Sequence, residues 1–454
     1  MVWALAFVWA IGSMVWVELV RDLYHALAHA WEPLYRLHGW HHRVFKKDLT
    51  PFNDQIYREA QWYNDVPESG VMLLGLTLFW LGARAIDPTV ATWGCAVGLA
   101  YTLIYVFGAV VRGLGFPWAH DLTDLTHLPG PFEAPPSRWL VNRTYHWRHH
   151  FDNQDAYFCG VLSFLDRWMG TALSLKNKTV AVTGASGTLG RALLEQLHRS
   201  GAKVIALTSS DRDLEITIDG EPLDLRTEVW AIGEEEKLIS LFEKVDILVI
   251  NHGVNVYGDR SITAIEQSYT VNAFSGLRLM ETFLHTVRTN RDIARKEVWV
   301  NTSEAEVLPA FSPLYELSKR ALGDFVTLRR LDAPCVIRKL ILGPFKSDLN
   351  PVGVMSADRV ARRIVRLAKS DVRNIIVTID PLTFVIHPLK ELAVSLYFRW
   401  FSKPSARTLP FDDSDPIEAT TLKTLNTLNT PNTPDTPNTP NTSDTSQTSM
   451  QSSR

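Results

Sequence analysis

The sequence predicts an α-helical membrane region with a histidine-box metal site, then an α/β region built on a doubly wound parallel sheet, then a disordered tail. Three observations predict it. Three apolar segments lie in the first 111 residues. Ten of the fourteen histidines lie between His25 and His150, at helical spacings. From Lys176, short apolar runs alternate with amphipathic stretches around a glycine-rich turn.

The 454 residues carry a formal net charge of −3, with no broad basic stripe, which argues against nucleic acid as a main partner. Cys95, Cys159 and Cys335 are too few and too scattered for a disulfide framework or a paired-cysteine metal site. Met1 to Val20 holds one charge, Glu18; Val71–Ile86 holds Arg84 alone; Val90–Val111 holds none. About 20 apolar residues span a hydrocarbon core, so the third segment predicts a span. The first lacks the basic start and cleavage site of a signal peptide. The second is short for a span. Domain limits are expected at 1–172 for the membrane region, 176–403 for the α/β region and 416–454 for a Thr/Asn/Pro low-complexity tail. The stretch 380–403, aromatic, apolar and basic, reads either as a helix on a bilayer surface or as a buried terminal helix.

His25 and His29 form HxxxH; His38, His41 and His42 form HxxHH; His146, His149 and His150 form a second HxxHH. Residues at i, i+3 and i+4 share one helix face, so each group aims its imidazoles one way. Imidazole suits iron, zinc, copper and nickel, and eight clustered histidines exceed what one tetrahedral zinc needs. Two metal ions are expected. Ligands that share a site must lie on one side of the membrane, and the two apolar segments around "DPT" allow a hairpin that crosses and returns. Arg36, Arg43, Lys46, Lys47 and Arg58 lie on that side, which predicts a cytoplasmic face.

The stretch "KTVAVTGASGTLGRALLEQLHRSGAKVIALTSS" reads as strand, glycine turn, helix, strand. Gly184, Gly187 and Gly190, with Ser186 and Leu189 between them, stand where a dinucleotide pyrophosphate meets a helix start. Ser209, Ser210 and Arg212 end the second strand and lean towards NADP(H) over NAD(H), with Asp211 against. Asn251 and Gly253 close a later buried strand, and Asn272 falls in a helix. Tyr315 and Lys319 are four apart on one helix face, so an ammonium beside a phenol is expected to lower the phenol pKa for proton exchange with a carbonyl or alcohol oxygen.

Two resemblances follow from these residues. "HALAH…LYRLHGWHH…HWRHHFDNQDAYFCGVLSFLDRWMGT", residues 15 to 172, resembles the fatty acid hydroxylase/sterol desaturase superfamily. That resemblance implies a non-haem di-iron centre that uses O₂ to hydroxylate or desaturate a lipid C–H bond. It implies ligands His25, His29, His38, His41, His42, His146, His149 and His150, with His120 added and His127 its rival. Asp22, Asp121 and Asp152 are candidates to orient the rings. Residues 176 to 365 resemble the short-chain dehydrogenase/reductase family, with a Rossmann-like sheet. This implies a catalytic tetrad of Asn272, Ser303, Tyr315 and Lys319, with Lys319 also on the cofactor ribose. The family's serine usually lies thirteen residues before the tyrosine, which falls on Thr302, so either hydroxyl fits. The pair resembles bifunctional sterol desaturase/short-chain dehydrogenase proteins. The expectation is a membrane-bound bifunctional oxidoreductase with a lipid substrate, two irons, NADP(H) or NAD(H), and an external electron donor for the iron. The alternatives are aldehyde processing of the wax or alkane type, and a reductase or scaffold held at the membrane by a catalytically silent metal region.

Overall fold

Helices with apolar residues on every side open the chain. In the computed structural model, which describes residues 1–209, 214–218 and 221–403, α1 runs Val2–Ala30 and α2 Glu32–Val44, the break falling at Trp31 before Pro33. Next, α3 spans Asp54–Ile86, its start capped by the Asn53 side chain, which accepts from the Ile56 amide at 2.8 Å, and α4 spans Val90–Gly113. Helices α1, α3 and α4 are each long and apolar enough to cross a membrane. The second segment is longer than its apolar run suggested, since α3 extends back to Asp54 through polar residues. Arg112 at the end of α4 makes that possible: it donates to Gln61 at 2.6 Å and to Asp65 at 2.7 Å. At the other end, the Trp9 indole donates to Asp87 at 3.0 Å. Helix α3 therefore leaves the histidine side and α4 returns to it, forming the hairpin a shared site requires.

Two short helices, α5 (Arg143–Phe151) and α6 (Phe164–Met169), lead into the α/β region. Strands β1 (Thr179–Thr183), β2 (Lys203–Thr208), β3 (Arg226–Val229), β4 (Ile247–Ile250), β5 (Glu297–Asn301), β6 (Val336–Leu342) and β7 (Asn374–Val377) pair in parallel in the order β3-β2-β1-β4-β5-β6-β7. Central strands such as β4 and β6 are buried throughout, as sequences rich in Val, Ile and Leu require in a sheet covered on both faces. Helices α7 (Thr188–Arg199) and α9 (Ala357–Lys369) pack together on one face. Helices α8 (Pro313–Arg329) and α10 (Thr383–Phe401) pack against each other. Strand order reverses between β1 and β4, the place where such sheets bind ligands at their carboxyl ends. Ser210, Arg212 and the 416–454 tail lie outside the described residues.

The helical region docks on the opposite, amino-terminal edge of the sheet, through buried charges. Glu297, the first residue of β5, accepts from Arg338 at 2.8 and 2.9 Å and from Arg148 of α5 at 3.3 Å; the Trp299 indole adds a bond at 3.0 Å. Arg338 also pairs with Asp371 at 2.8 Å. Asp152, just after α5, pairs with Lys178 at 2.8 Å and Arg295 at 2.9 Å. The two regions form one compact unit. Burial alone would raise the Glu297 carboxyl, but the two guanidiniums overcome it and hold the pKa at about 2.

Glu297→Gln leaves Arg148 buried without a counter-charge and Arg338 with Asp371 alone, so it should destabilise the protein by about 3–5 kcal/mol in chemical denaturation. A carboxyl lowered in the fold stabilises at pH above its unfolded pKa, and that contribution disappears as pH falls through about 2. The wild type should therefore lose stability on acidification more steeply than the variant.

Candidate functional site

At the carboxyl edge of the sheet, β1 runs into the glycine turn and then into α7. Gly184 has φ +62°, and a side chain there would meet the His252 backbone at 2.9 Å. A Cβ on Gly190 would stand 2.1 Å from the Gly184 carbonyl oxygen, so only glycine lets helix and strand close this turn. Gly187 caps α7 with no side-chain hydrogen bond, which leaves the first amides of the helix open to an anion. Leu189 is buried behind the turn and Ser186 is exposed on it. Ser209 lies exposed at the end of β2. These features fit a dinucleotide phosphate.

The remaining polar groups converge beside the turn. Asn272 sits in a π-turn, Thr270–Phe274, and is buried; its amide donates to the Val254 carbonyl at 2.9 Å and Ser318 at 3.0 Å, and its oxygen accepts from the Val254 amide at 2.8 Å. Asn251 accepts from Asn301 at 3.1 Å, and a Cβ on Gly253 would lie 3.1 Å from the Asn272 oxygen. Lys319 is buried and donates to the Asn301 carbonyl at 2.9 Å; desolvation lowers its pKa to about 8. Its ammonium stands 5.8 Å from the centre of the Tyr315 ring.

One alternative left open by the sequence narrows here, and one expectation changes. Between the two hydroxyls, Ser303 is the one near enough to Tyr315 to pull the phenol pKa down, and it accepts from the Ala305 amide at 3.3 Å, while the Thr302 hydroxyl is buried without a partner. Ser303 reaches Tyr315 by taking φ +69° at the end of β5, a backbone distortion that spacing alone does not reveal. The Tyr315 phenol is raised, not lowered: burial dominates, with the Ser303 hydroxyl acting against it. Desolvation of both groups outweighs the ammonium–phenol attraction that helical spacing suggested.

Across the sheet, the histidines form two adjoining groups. His25, His29, His38, His42 and His149 bring one ring nitrogen each within 4.8 Å of one another; so do His41, His127, His146 and His150. The His42 and His150 rings, one from each group, are 4.9 Å apart. His120 stands outside both, beside Asp121 and the Tyr57 ring, and His127 holds the place assigned to it. The reason is local. The Thr123 carbonyl and hydroxyl accept from Arg112, fixing the loop; the His127 ring stacks on Phe45 at 4.3 Å; and its Nδ1 bonds Asp124 at 2.5 Å. The spacing DxxH was the signal in the sequence.

Proton accounting tests whether these rings suit cations. His25 Nδ1 lies 2.6 Å from the Phe158 carbonyl oxygen and His149 Nδ1 lies 2.8 Å from that of Ala156. A carbonyl only accepts, so each ring carries its proton on Nδ1 and a lone pair on Nε2. Yet those two Nε2 atoms stand 2.8 Å apart. His42 Nε2 lies 3.0 to 3.2 Å from those of His38, His29 and His149. In the second group, His150 Nε2 lies 3.0, 3.1 and 3.2 Å from those of His41, His146 and His127. Burial pushes His149, His150 and His146 well down and His38 to about 4, so the rings are neutral with one proton each, and the His25 and His149 protons, held on Nδ1, leave two lone pairs facing each other. Nitrogens at about 2.1 Å from one centre and at right angles stand about 3.0 Å apart, the spacing seen. The residues fit a bound metal ion in each group.

The groups that orient these rings are not the carboxylates the sequence suggested. Asp22 accepts from the Gly160 amide and Arg21, and Asp152 belongs to the docking edge. The backbone oxygens of Phe158 and Ala156, with Asp124 and Asn64, take that role; Asn64 Oδ1 meets His38 Nδ1 at 2.9 Å from a π-turn, Gln61–Asp65. Arg148, next to His149, reaches Glu297 at the amino end of β5, whereas Ser303 and Tyr315 lie past its carboxyl end. The two centres thus face opposite edges of the sheet, a strand length of about 16 Å apart or more.

The short chain dehydrogenase family matches residues 178–336. A Dehydrogenase/reductase SDR family protein 7-like from Drosophila melanogaster is 26% identical over 51% of this chain and 82% of its own. An alcohol dehydrogenase from Thermococcus sibiricus, solved with 5-hydroxy-NADP, is 19% identical, covers 44% of this chain and 94% of its own, and has a TM-score of 0.37. The monoglucosyldiacylglycerol epimerase of Synechocystis sp. is 59% identical over 89% of this chain and the whole of its own. By that identity and coverage the chain is an enzyme that belongs to the family of the Synechocystis monoglucosyldiacylglycerol epimerase, with a short-chain dehydrogenase domain at residues 178–336.

Proposed function

We propose that this protein is a membrane-bound epimerase of a glucosyl-diacylglycerol type lipid, working by reversible oxidation of one sugar carbinol at the Ser303–Tyr315–Lys319 site. The single observation that carries the reading is buried Lys319, held by the Asn301 carbonyl at 2.9 Å with its ammonium 5.8 Å from the Tyr315 ring, at the sheet edge that holds the glycine turn. The 59% identical epimerase supports the lipid class. A nicotinamide cofactor, held by the open amides after Gly184 and Gly187 and by Asn251 and Lys319, supplies reversible hydride uptake at this site. Ser303 positions the reacting oxygen. Tyr315 takes the hydroxyl proton as the carbinol becomes a ketone and returns it when the carbinol re-forms. Lys319 steadies the charge on Tyr315 while the proton is away. Inversion follows when the ketone presents its other face, so the cycle is redox-neutral and needs neither O₂ nor an electron donor. The spans α1, α3 and α4 keep the enzyme in the bilayer with its substrate, and the basic residues beside the histidines support a cytoplasmic side for both centres.

A second reading rests on the nine histidines. We propose that each group holds one metal ion, iron on the resemblance to fatty acid hydroxylases, and such ions would supply O₂-dependent oxidation of a lipid C–H bond. His25, His29, His38, His42 and His149 would hold one, and His41, His127, His146 and His150 the other. An electron donor is needed for this reading alone, and the opposite edges of the sheet make the two activities independent of each other.

Tyr315→Phe should lower epimerisation of monoglucosyldiacylglycerol by ~10²–10⁴-fold with the fold intact. In D₂O the wild-type product should carry no solvent deuterium at the inverted carbon, and turnover should persist without O₂; solvent label there would refute the hydride cycle. Turnover that depends on charged Lys319 should fall as pH rises through about 8, and Lys319→Arg should move that limb upward. Metal analysis should find two ions per chain. His127→Ala should lose about one of them, while His120→Ala keeps both; the reverse pattern would return His120 to the site.

A further inference from the structure

Helix α10 is built inside out. The side chains it turns to the protein are polar: Thr383 donates to Glu304, Lys390 reaches Glu306 at 3.0 Å, and Glu391 accepts from Lys339 at 2.7 Å and Arg330 at 2.9 Å. The side it turns away is apolar, with Leu389, Leu392, Trp400 and Phe401 exposed to 63%, 59%, 74% and 73%. A helix at a protein–water boundary has the opposite arrangement. Its course is informative as well. Thr383 stands by Glu304, just past the carboxyl end of β5. Glu391 stands by Arg330, which also bonds Asn374 at the start of β7 at 2.6 Å. So α10 descends from the catalytic edge to the docking edge, and Leu392–Phe401 continue about 15 Å along the helix axis.

A groove on the same side of the domain is lined by charge of one sign. Along α9, Arg359, Arg362, Arg363 and Arg366 line a groove with Ile379 and Phe384, at the open edge of β7 and the start of α10. All four are exposed, and none pairs with a carboxylate among the described residues. At the docking end, the last residue of α9, Lys369, accepts from the Leu173 amide at 3.1 Å. There α6, which touches α1, exposes Trp168 to 83%. An apolar face with Trp and Tyr, bordered by unpaired arginines and continuous with the helices long enough to cross a membrane, complements an anionic leaflet.

We propose that this side of the α/β domain rests on an anionic membrane leaflet, with the outer face of α10 in the headgroup–acyl boundary and the α9 arginines on lipid phosphates. The catalytic edge then opens at headgroup height. This deepens the reading of a lipid-headgroup substrate and rests on its membrane setting, but spin-label depth tests it without turnover. Cys95, Cys159 and Cys335 are buried, so single labels can be placed at Leu392→Cys and Trp400→Cys, with Lys237→Cys near the other end of the sheet as control. The full chain is reconstituted in phosphatidylcholine vesicles with or without phosphatidylglycerol.

Labels at 392 and 400 should collide several-fold more with O₂ than with an aqueous nickel chelate, most strongly in anionic vesicles, and the label at 237 should do the reverse. Replacing the four arginines with glutamine should erase the difference between the two vesicles. Nickel access at 392 and 400 equal to that at 237 would overturn the proposal. So would shielding from both reagents, the mark of cover by a second copy or by the chain's own carboxy-terminal segment. An anionic-lipid effect that survives the arginine replacement would remove the headgroup contact. Correct label depths with no epimerase turnover would instead count against the function proposed above.

Discussion

A seam of buried charge at the amino-terminal edge of the sheet holds the molecule in its shape. Glu297 receives Arg338 from the neighbouring strand and Arg148 from α5, all three nearly sealed from solvent. Charges this deep are tolerable only with their partners in place. The docking of the helical region is therefore tied to one register, in which the residue after Arg148, His149, points into the five-histidine group. Asp152, one turn on, repeats the arrangement with Lys178 and Arg295.

That register decides where chemistry can happen. It places the histidine groups below one edge of the sheet while the glycine turn, Ser303 and Tyr315 occupy the other. Two successive reactions on a single lipid, an attractive idea for a chain with two centres, would require the lipid to leave one edge and travel to the other. A redox-neutral inversion at the sheet site has no such requirement, since hydride and proton are returned where they were removed. Both centres also take a buried polar residue from a π-turn: Asn64, which bonds His38, in one, and Asn272, which bonds Val254 and Ser318, in the other. The extra residue in each turn re-aims a side chain that a regular helix would point elsewhere.

Much of the candidate site was legible in the sequence because local geometry carries it. Eight of the nine clustered histidines follow from i, i+3, i+4 spacing, and the glycine turn from the switch between strand and helix periodicity. The ninth left only a faint local trace, the DxxH spacing of Asp124 and His127. His120 lies in a short helix, Ala119–Thr123, and His127 in the loop after it, and the choice between them is made by the Arg112–Thr123 contacts and the Phe45 stack, which come from distant parts of the chain. The Thr302–Ser303 ambiguity has the same origin, since a positive φ at Ser303 changes which hydroxyl faces Tyr315. The direction of the Tyr315 shift depends on burial, which spacing does not report.

The sequence by itself determined the helical and parallel-sheet elements, the histidine faces and the cofactor turn, because each is an interaction between residues a few positions apart. Only the tertiary structure decided which loop histidine joins the rings, which edge of the sheet each centre occupies, and that α10 turns its apolar side outward. Those outcomes depend on ion pairs and burial between residues up to about 150 positions apart, and no periodicity in the chain encodes which distant partners will meet.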